Sequence, residues 1–233
     1  MSEENQHWVP KFVVKNFTDR DGRVFRLDIE TDEVTKPPPR RAASDINFNE
    51  FVIDGKVISF EDSLTKIETP AAPIFRRIAA ARSTASLTDS DRMRAAKFMA
   101  AQSFRTEAFY KGIEGHKARN DFGAVFKQLW ESAFLVADDI ARRHWILLSI
   151  EHDDVFNLGD HPLVLQNTEN PSAGGPLGFD IQGVEAFLPL TPKCELICPA
   201  FQQARKSSRA MKTPFKFIGT CAPLCSQDRC CPA

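Results

Sequence analysis

The first 193 residues of this 233-residue chain contain no cysteine; all six fall at positions 194, 198, 221, 225, 230 and 231. A secreted disulfide scaffold spreads its cysteines through the fold, so this distribution argues for a reduced, cytoplasmic setting. Long apolar runs are also missing. "WILLSI" (145–150) falls far short of the roughly 18–20 residues that span a bilayer. The opening "MSEENQH" lacks the cationic and apolar regions of a secretory leader, and no membrane partner is expected. Net charge is nearly absent, −1 with a pI near 6.5, so no global basic field indicates nucleic acid as a partner. The basic clusters "KPPPRR" (36–41) and "ARKSSRAMK" (204–212) read as solvated segments. No Walker loop, dinucleotide fingerprint, HExxH or nucleophile elbow occurs.

The composition that remains is that of a globular protein, 42% hydrophobic and 26% charged, in a chain long enough to bury a core. Pro10 suits the first turn of a short helix carrying Val13 and Phe17. "VFRLDIE" (24–30) alternates as a half-buried strand, and "FVIDGKVISF" (51–60) carries a hairpin signal at Asp54-Gly55. Ser59 and Asp62 resemble a capping box for a helix from about Phe60. Pro70 is expected to break it, with Thr69 capping a second helix to about Arg82. Thr88, followed by Asp89 and Asp91, predicts a helix to about Gly112, and a further helix covers roughly 122–142. Strands are expected at 144–150, 163–166, 185–190 and 194–198.

Helices that run together favour an α+β fold, a helical middle segment packed with a small, mostly antiparallel sheet from N- and C-terminal strands. The expected organisation is one domain over 5–199 and an atypical, disordered, Cys-rich tail over 200–233. The tail's cysteine spacing is not that of a regular zinc ribbon or finger, which argues against zinc there.

Four places carry candidate polar residues. On the 89–112 helix, Ala95, Phe98, Met99, Gln102, Arg105, Thr106 and Phe109 share one face. A buried Arg105 needs a carboxylate or several carbonyls. It is either an internal ion pair tying helices together or the wall of a pocket facing an anionic ligand. Glu68, read as the last turn of its helix, sits badly against the helix dipole; it is either the partner of a cation or metal or a solvent-exposed carboxylate. In "NLGDHPLVLQ" (157–166), Asp160 and His161 could ligate a divalent ion or share a proton, or Asp160 could close an Asx turn. His7 stands three residues before Pro10 in "NQHWVPKFVVKNF", ahead of a run of large apolar side chains.

"QHWVPKFVVKNF" resembles the opening of an uncharacterised family, the domain of unknown function numbered 4238, whose members begin Gln-His-x-Val-Pro-x-Phe-x-Leu-x-x-Phe. "LTKIETPAAPIFRRI" (64–78), "LTDSDRMRAAKFMAAQSFRTEAF" (87–109), "NLGDHPLVL" (157–165) and "FLPLTPKCELI" are similar to later family segments. The likeness spans roughly 5–199. His161 stands where the family form has Asn, so no ligand role transfers to it. The resemblance implies that His7, Glu68, Gln102, Arg105 and Asp160 belong to family motifs, but it supplies no reaction.

The expectation is therefore one polar pocket in which His7, Glu68, Arg105 and Asp160 converge, with Gln102, on an anionic substrate that is phosphate-bearing or a nucleic acid. The enzymatic version is a hydrolase: His7 as general base or ligand, carboxylates holding a divalent ion of unspecified identity, Arg105 meeting developing negative charge. The alternative is a non-catalytic binding or regulatory module whose polar cluster is structural.

Overall fold

The computed structural model describes residues 5–53, 55–106, 127–128, 130–132, 134–167, 169, 177–179 and 181–199. The chain opens with β1 (Asn5–His7). Pro10, in extended backbone, then turns it into α1 (Lys11–Val14) and a 3-10 turn, Lys15–Phe17. Three antiparallel strand pairs are built from the N-terminal part: β1 with β4 (Ser44–Ile46), β2 (Arg26–Asp28) with β3 (Glu33–Thr35), and β5 (Glu50–Ile53) with β6 (Lys56–Ser59). Gly55, with φ +73°, occupies the tight turn of the last pair. The β2–β3 ribbon corrects the expectation of a half-buried strand. Phe25, Leu27 and Ile29 are all exposed, because β2 pairs only with β3 and no described layer covers that face.

Helix α2 (Glu61–Ala81) is a second correction. It runs unbroken for 21 residues with Pro70 and Pro73 inside it, so Thr69 caps nothing and Glu68 lies mid-helix. The prolines withhold N–H groups from the carbonyls of Lys66 and Thr69, both exposed residues, where water can take their place. Leu64, Ala71, Ile74, Phe75 and Ile78 form an apolar stripe whose burial outweighs that local cost. The Ser59–Asp62 capping box does not form; Phe60 is the N-cap and has no side-chain cap bond.

Helix α3 (Asp89–Gln102) starts where expected, with a reciprocal box. The Thr88 hydroxyl accepts the Asp91 N–H at 3.1 Å and the Asp91 carboxylate accepts the Thr88 N–H at 3.2 Å. It stops at Gln102 rather than near Gly112. The N–H groups of Phe104 and Arg105 fold back three residues, onto Ala101 and Gln102. Residues 107–126 lie outside the described set. The helix expected over 122–142 is interrupted by a turn at 134–136, after which α4 (Ala137–Arg142) begins afresh with Asp138 and Asp139 at its positive end.

The main sheet is antiparallel, in the order β7 (Ile146–Ser149), β10 (Cys194–Cys198), β9 (Val184–Thr191), β8 (Val164–Asn167). All four strands were expected, and all come from the C-terminal part. Leu147, Leu165, Ala186, Leu188, Leu196 and Cys198 join the core formed with α2, α3 and α4. Pro189 faces Glu195 at a register shift, a position that tolerates a missing N–H. Among the described residues, no helix is long and apolar enough to cross a membrane.

Candidate functional site: a closed arginine clamp

Pairing of β1 with β4 and a Trp8 N–H bond to the Ala43 carbonyl carry the opening strand to the C-terminal end of α3. Arg105, just past that end and 3% exposed, donates through Nη1 to Glu68 Oε1 and through Nη2 to the main-chain carbonyl of His7. Gln102, 2% exposed, donates from Nε2 to the carbonyls of Trp8 at 2.7 Å and Arg105 at 3.2 Å. Three distant segments are thus tied by two side chains. A cavity of about 10 Å³, lined by Leu64, Ile67, Glu68, Phe98, Ala101, Gln102 and Arg105, adjoins the clamp, with room for one water molecule. Burial pushes the Glu68 carboxyl above its usual range, against the pull of the Arg105 charge.

The structure gathers Arg105, Glu68, Gln102 and the backbone of His7, but not every expected side chain. The His7 ring turns away and donates from Nε2 to the Pro39 carbonyl at 3.2 Å. Burial holds it below the usual histidine range, opposed by that same bond, so a neutral ring with its proton on Nε2 fits both facts. Asp160 is exposed and accepts from the Trp8 indole at 3.4 Å. Among the described residues, no hydrogen bond or ion pair links Asp160 or the His7 ring to the Arg105–Glu68 pair.

Nor do the described residues contain a group of three or more His, Cys, Asp or Glu side chains that could hold a metal ion. In "EHDD" (151–154), the carbonyls of His152 and Asp154 accept from Lys193 Nζ, so this stretch anchors the β9–β10 turn. Cys194 and Cys198 are buried free thiols, and burial pushes Cys198 up to about 12, so it serves as a small hydrophobe. The other four cysteines lie outside the described residues.

Sequence reasoning missed the buried polar residues Gln6, Asn49, Arg143, Glu185 and Glu195. Gln6 Oε1 accepts the Asn49 N–H at 2.6 Å, and Asn49 in turn donates to Glu61; the place of Gln6 in the opening motif was the available signal. Arg143, 2% exposed, donates to the carbonyls of Val184 at 2.7 Å and Phe179. Its own carbonyl accepts from Arg92, whose guanidinium lies 4.5 Å above the Trp145 ring. Nothing in "ARRHW" distinguishes Arg143 from its exposed neighbour Arg142.

Glu195 is another. It sits on β10 opposite Leu148 and Pro189, buried, with Oε2 unpartnered. Burial alone pushes its carboxyl from the ordinary 4.5 up to about 7. Between those values the folded chain keeps a proton that the unfolded chain releases, so stability falls as pH rises through this window. The expected loss is on the order of 2 kcal/mol after allowance for solvent screening. Denaturant titrations from pH 4.5 to 8 should show that decline in the parent chain and a flatter profile in Glu195→Gln. Equal slopes would contradict it.

The fold is thus an α+β protein with antiparallel sheets, and the expected site is a buried arginine clamp closed by its own chain. The family model described as Protein of unknown function (DUF4238) matches residues 5–134, and the chain belongs to that family. The match takes in His7, Glu68, Gln102 and Arg105, while Asp160 lies beyond it. No curated protein and no solved structure matches the chain.

Proposed function

We propose that this protein is a non-catalytic binding or regulatory module in which the Arg105 cluster is structural. The observation that carries this reading is the commitment of both terminal nitrogens of Arg105 to acceptors of its own chain, beside a space fit for one water. An anionic substrate at Arg105 would have to displace Glu68 or the His7 carbonyl first. Exposed large apolar side chains instead concentrate in the N-terminal ribbons, at Phe25, Leu27, Ile29, Val34, Ile46, Val52, Val57 and Ile58, which is the composition of a partner-binding surface.

One observation favours the hydrolase as a second reading. Glu68 keeps about a quarter of its side chain exposed, has a raised pKa and borders the water-sized cavity, as a general base would. Glu68→Gln separates the two. In the binding module it lowers the melting temperature, and neither parent nor variant hydrolyses phosphomonoesters, phosphodiesters or single-stranded nucleic acid, with or without Mg²⁺, Mn²⁺ or Zn²⁺. Turnover by the parent that Glu68→Gln abolishes, with the melting temperature unchanged, would overturn the binding reading.

A further inference from the structure

Helix α2 serves two cores. Its second half, through Ala71, Ile74, Phe75 and Ile78, lies in the main core with α3, α4 and the sheet. Its first half, through Leu64, lies in a smaller cluster with Phe51, Phe60, Ala101 and Trp130. Ile67 is half-buried and packs against both. The change of core therefore falls between Ile67 and Ala71, where Pro70 stands. Four main-chain bonds would cross a seam just before that residue, from the N–H groups of 70–73 to the carbonyls of 66–69. Pro70 and Pro73 supply no N–H, so two of the four are missing. The cavity of about 10 Å³ lies at the same level, between Leu64, Ile67 and Glu68 of α2 and Phe98, Ala101 and Gln102 of α3. Side-chain packing is thus interrupted where the ladder is.

The chain ahead of this seam is held together as a unit. The Phe60 N–H bonds the Asn49 carbonyl at 3.0 Å, and the Asn49 side chain donates to Glu61 at 2.5 Å, which ties β5 and β6 to the start of α2. Asn47, at φ +54°, turns the chain from β4 into this unit, a conformation that asparagine tolerates. Specific contacts fasten the unit to the rest. Arg105 donates to Glu68 beside the seam. Farther from it, Gln6 accepts the Asn49 N–H at 2.6 Å and the rings of Trp8 and Phe48 meet at 5.2 Å. The opening segment that carries Gln6 and Trp8 is anchored on the main core by Val9, and by Arg105 and Gln102, which hold the carbonyls of His7 and Trp8.

We propose that α2 is hinged at Pro70, that β5, β6 and its first half swing there as one unit, and that the Gln6–Asn49 and Arg105–Glu68 contacts are the latches that hold the unit shut. Opening draws Leu64 away from Ala101 and widens the cavity into a cleft beside Arg105. The hinge is independent of whether the Arg105 cluster is structural or catalytic.

Hydrogen exchange of the full chain, corrected for intrinsic rates, is the first test. The N–H groups of Ala71 and Ala72 carry the bonds that remain across the seam. Although Ala71 is fully buried, both should exchange roughly tenfold or more faster than those of Phe75 to Ile78. Equal protection along α2 overturns the hinge. Spin labels on non-natural amino acids in place of Asp62 and Arg142, both exposed, then read the swing. The parent chain should give one narrow distance. Gln6→Leu removes the acceptor of the Asn49 N–H and should add a second, longer distance. So should Glu68→Gln, which keeps the size of the side chain. Pro70→Ala with Pro73→Ala rebuilds the ladder and should return the Gln6→Leu protein to the single distance of the parent. A single parent-like distance in folded Gln6→Leu and Glu68→Gln overturns the proposal, and so does a second distance that persists once both prolines are gone.

Discussion

Arg105→Ala is expected to destabilise the protein by about 3–5 kcal/mol, the range found when one partner of a buried ion pair is removed. For a chain of this size that is a fall in melting temperature of roughly 10 °C. Three losses combine. Glu68 loses its counter-charge in a site where burial already disfavours the ionised form, the His7 carbonyl loses its donor, and the long side chain leaves a void next to the existing cavity. Arg105→Lys should recover only part of this, because one ammonium cannot reproduce the two divergent N–H bonds that reach Glu68 and His7. Differential scanning fluorimetry of the three proteins checks the order: parent, then Lys, then Ala.

Arg143→Ala is expected to cost about 2–4 kcal/mol, through a different mechanism. Its guanidinium serves main-chain carbonyls of Val184 and Phe179 rather than a carboxylate, and removing it leaves buried acceptors without a donor. The carbonyl of Arg143 itself remains bonded to Arg92, so α3 should stay attached while the β9 end of the sheet loosens. Arg142→Ala is the internal control. That side chain is exposed and meets Asp138 at 3.9 Å one helical turn away, a contact expected to contribute a few tenths of a kcal/mol. Urea denaturation of both variants should show a large loss at 143 and almost none at 142. Similar losses would mean that carbonyl bonding by Arg143 is not what holds the sheet.

Residues that advertise local physics were legible in the sequence. Thr88 with Asp91 marked the start of α3, Asp54-Gly55 marked the hairpin, and short apolar runs marked all four strands of the main sheet. Arg105 and Gln102 announced themselves as polar groups on an apolar stripe, and the ion pair with Glu68 is the internal alternative raised for Arg105. What failed depended on tertiary packing. Pro70 reads as a helix breaker until the buried stripe from Leu64 to Ile78 is seen to hold α2 together. The ribbon at 24–35 has the alternation of a half-buried strand, yet alternation cannot say whether a second layer exists to bury it. His7 was noticed for its imidazole, whereas the clamp uses its carbonyl, an atom every residue carries and no sequence pattern reveals.

The opening motif acquires a physical meaning from this. Gln6 is bonded to Asn49, the carbonyls of His7 and Trp8 receive Arg105 and Gln102, and Pro10 then turns the chain into α1. The stretch acts as a strap pinned across the end of α3 by Gln102 and by Arg105, which Glu68 on α2 holds in turn.

A double-mutant cycle on the folding free energy of Arg105→Met, Glu68→Gln and the double variant tests the closed clamp most directly. A pair in which each charge answers the other predicts strong coupling, with the double variant costing less than the two single losses combined by about 2 kcal/mol, because neither partner is then left buried alone. Losses that add to within about 0.5 kcal/mol would show that Arg105 and Glu68 do not depend on one another, and the account of this site would be wrong.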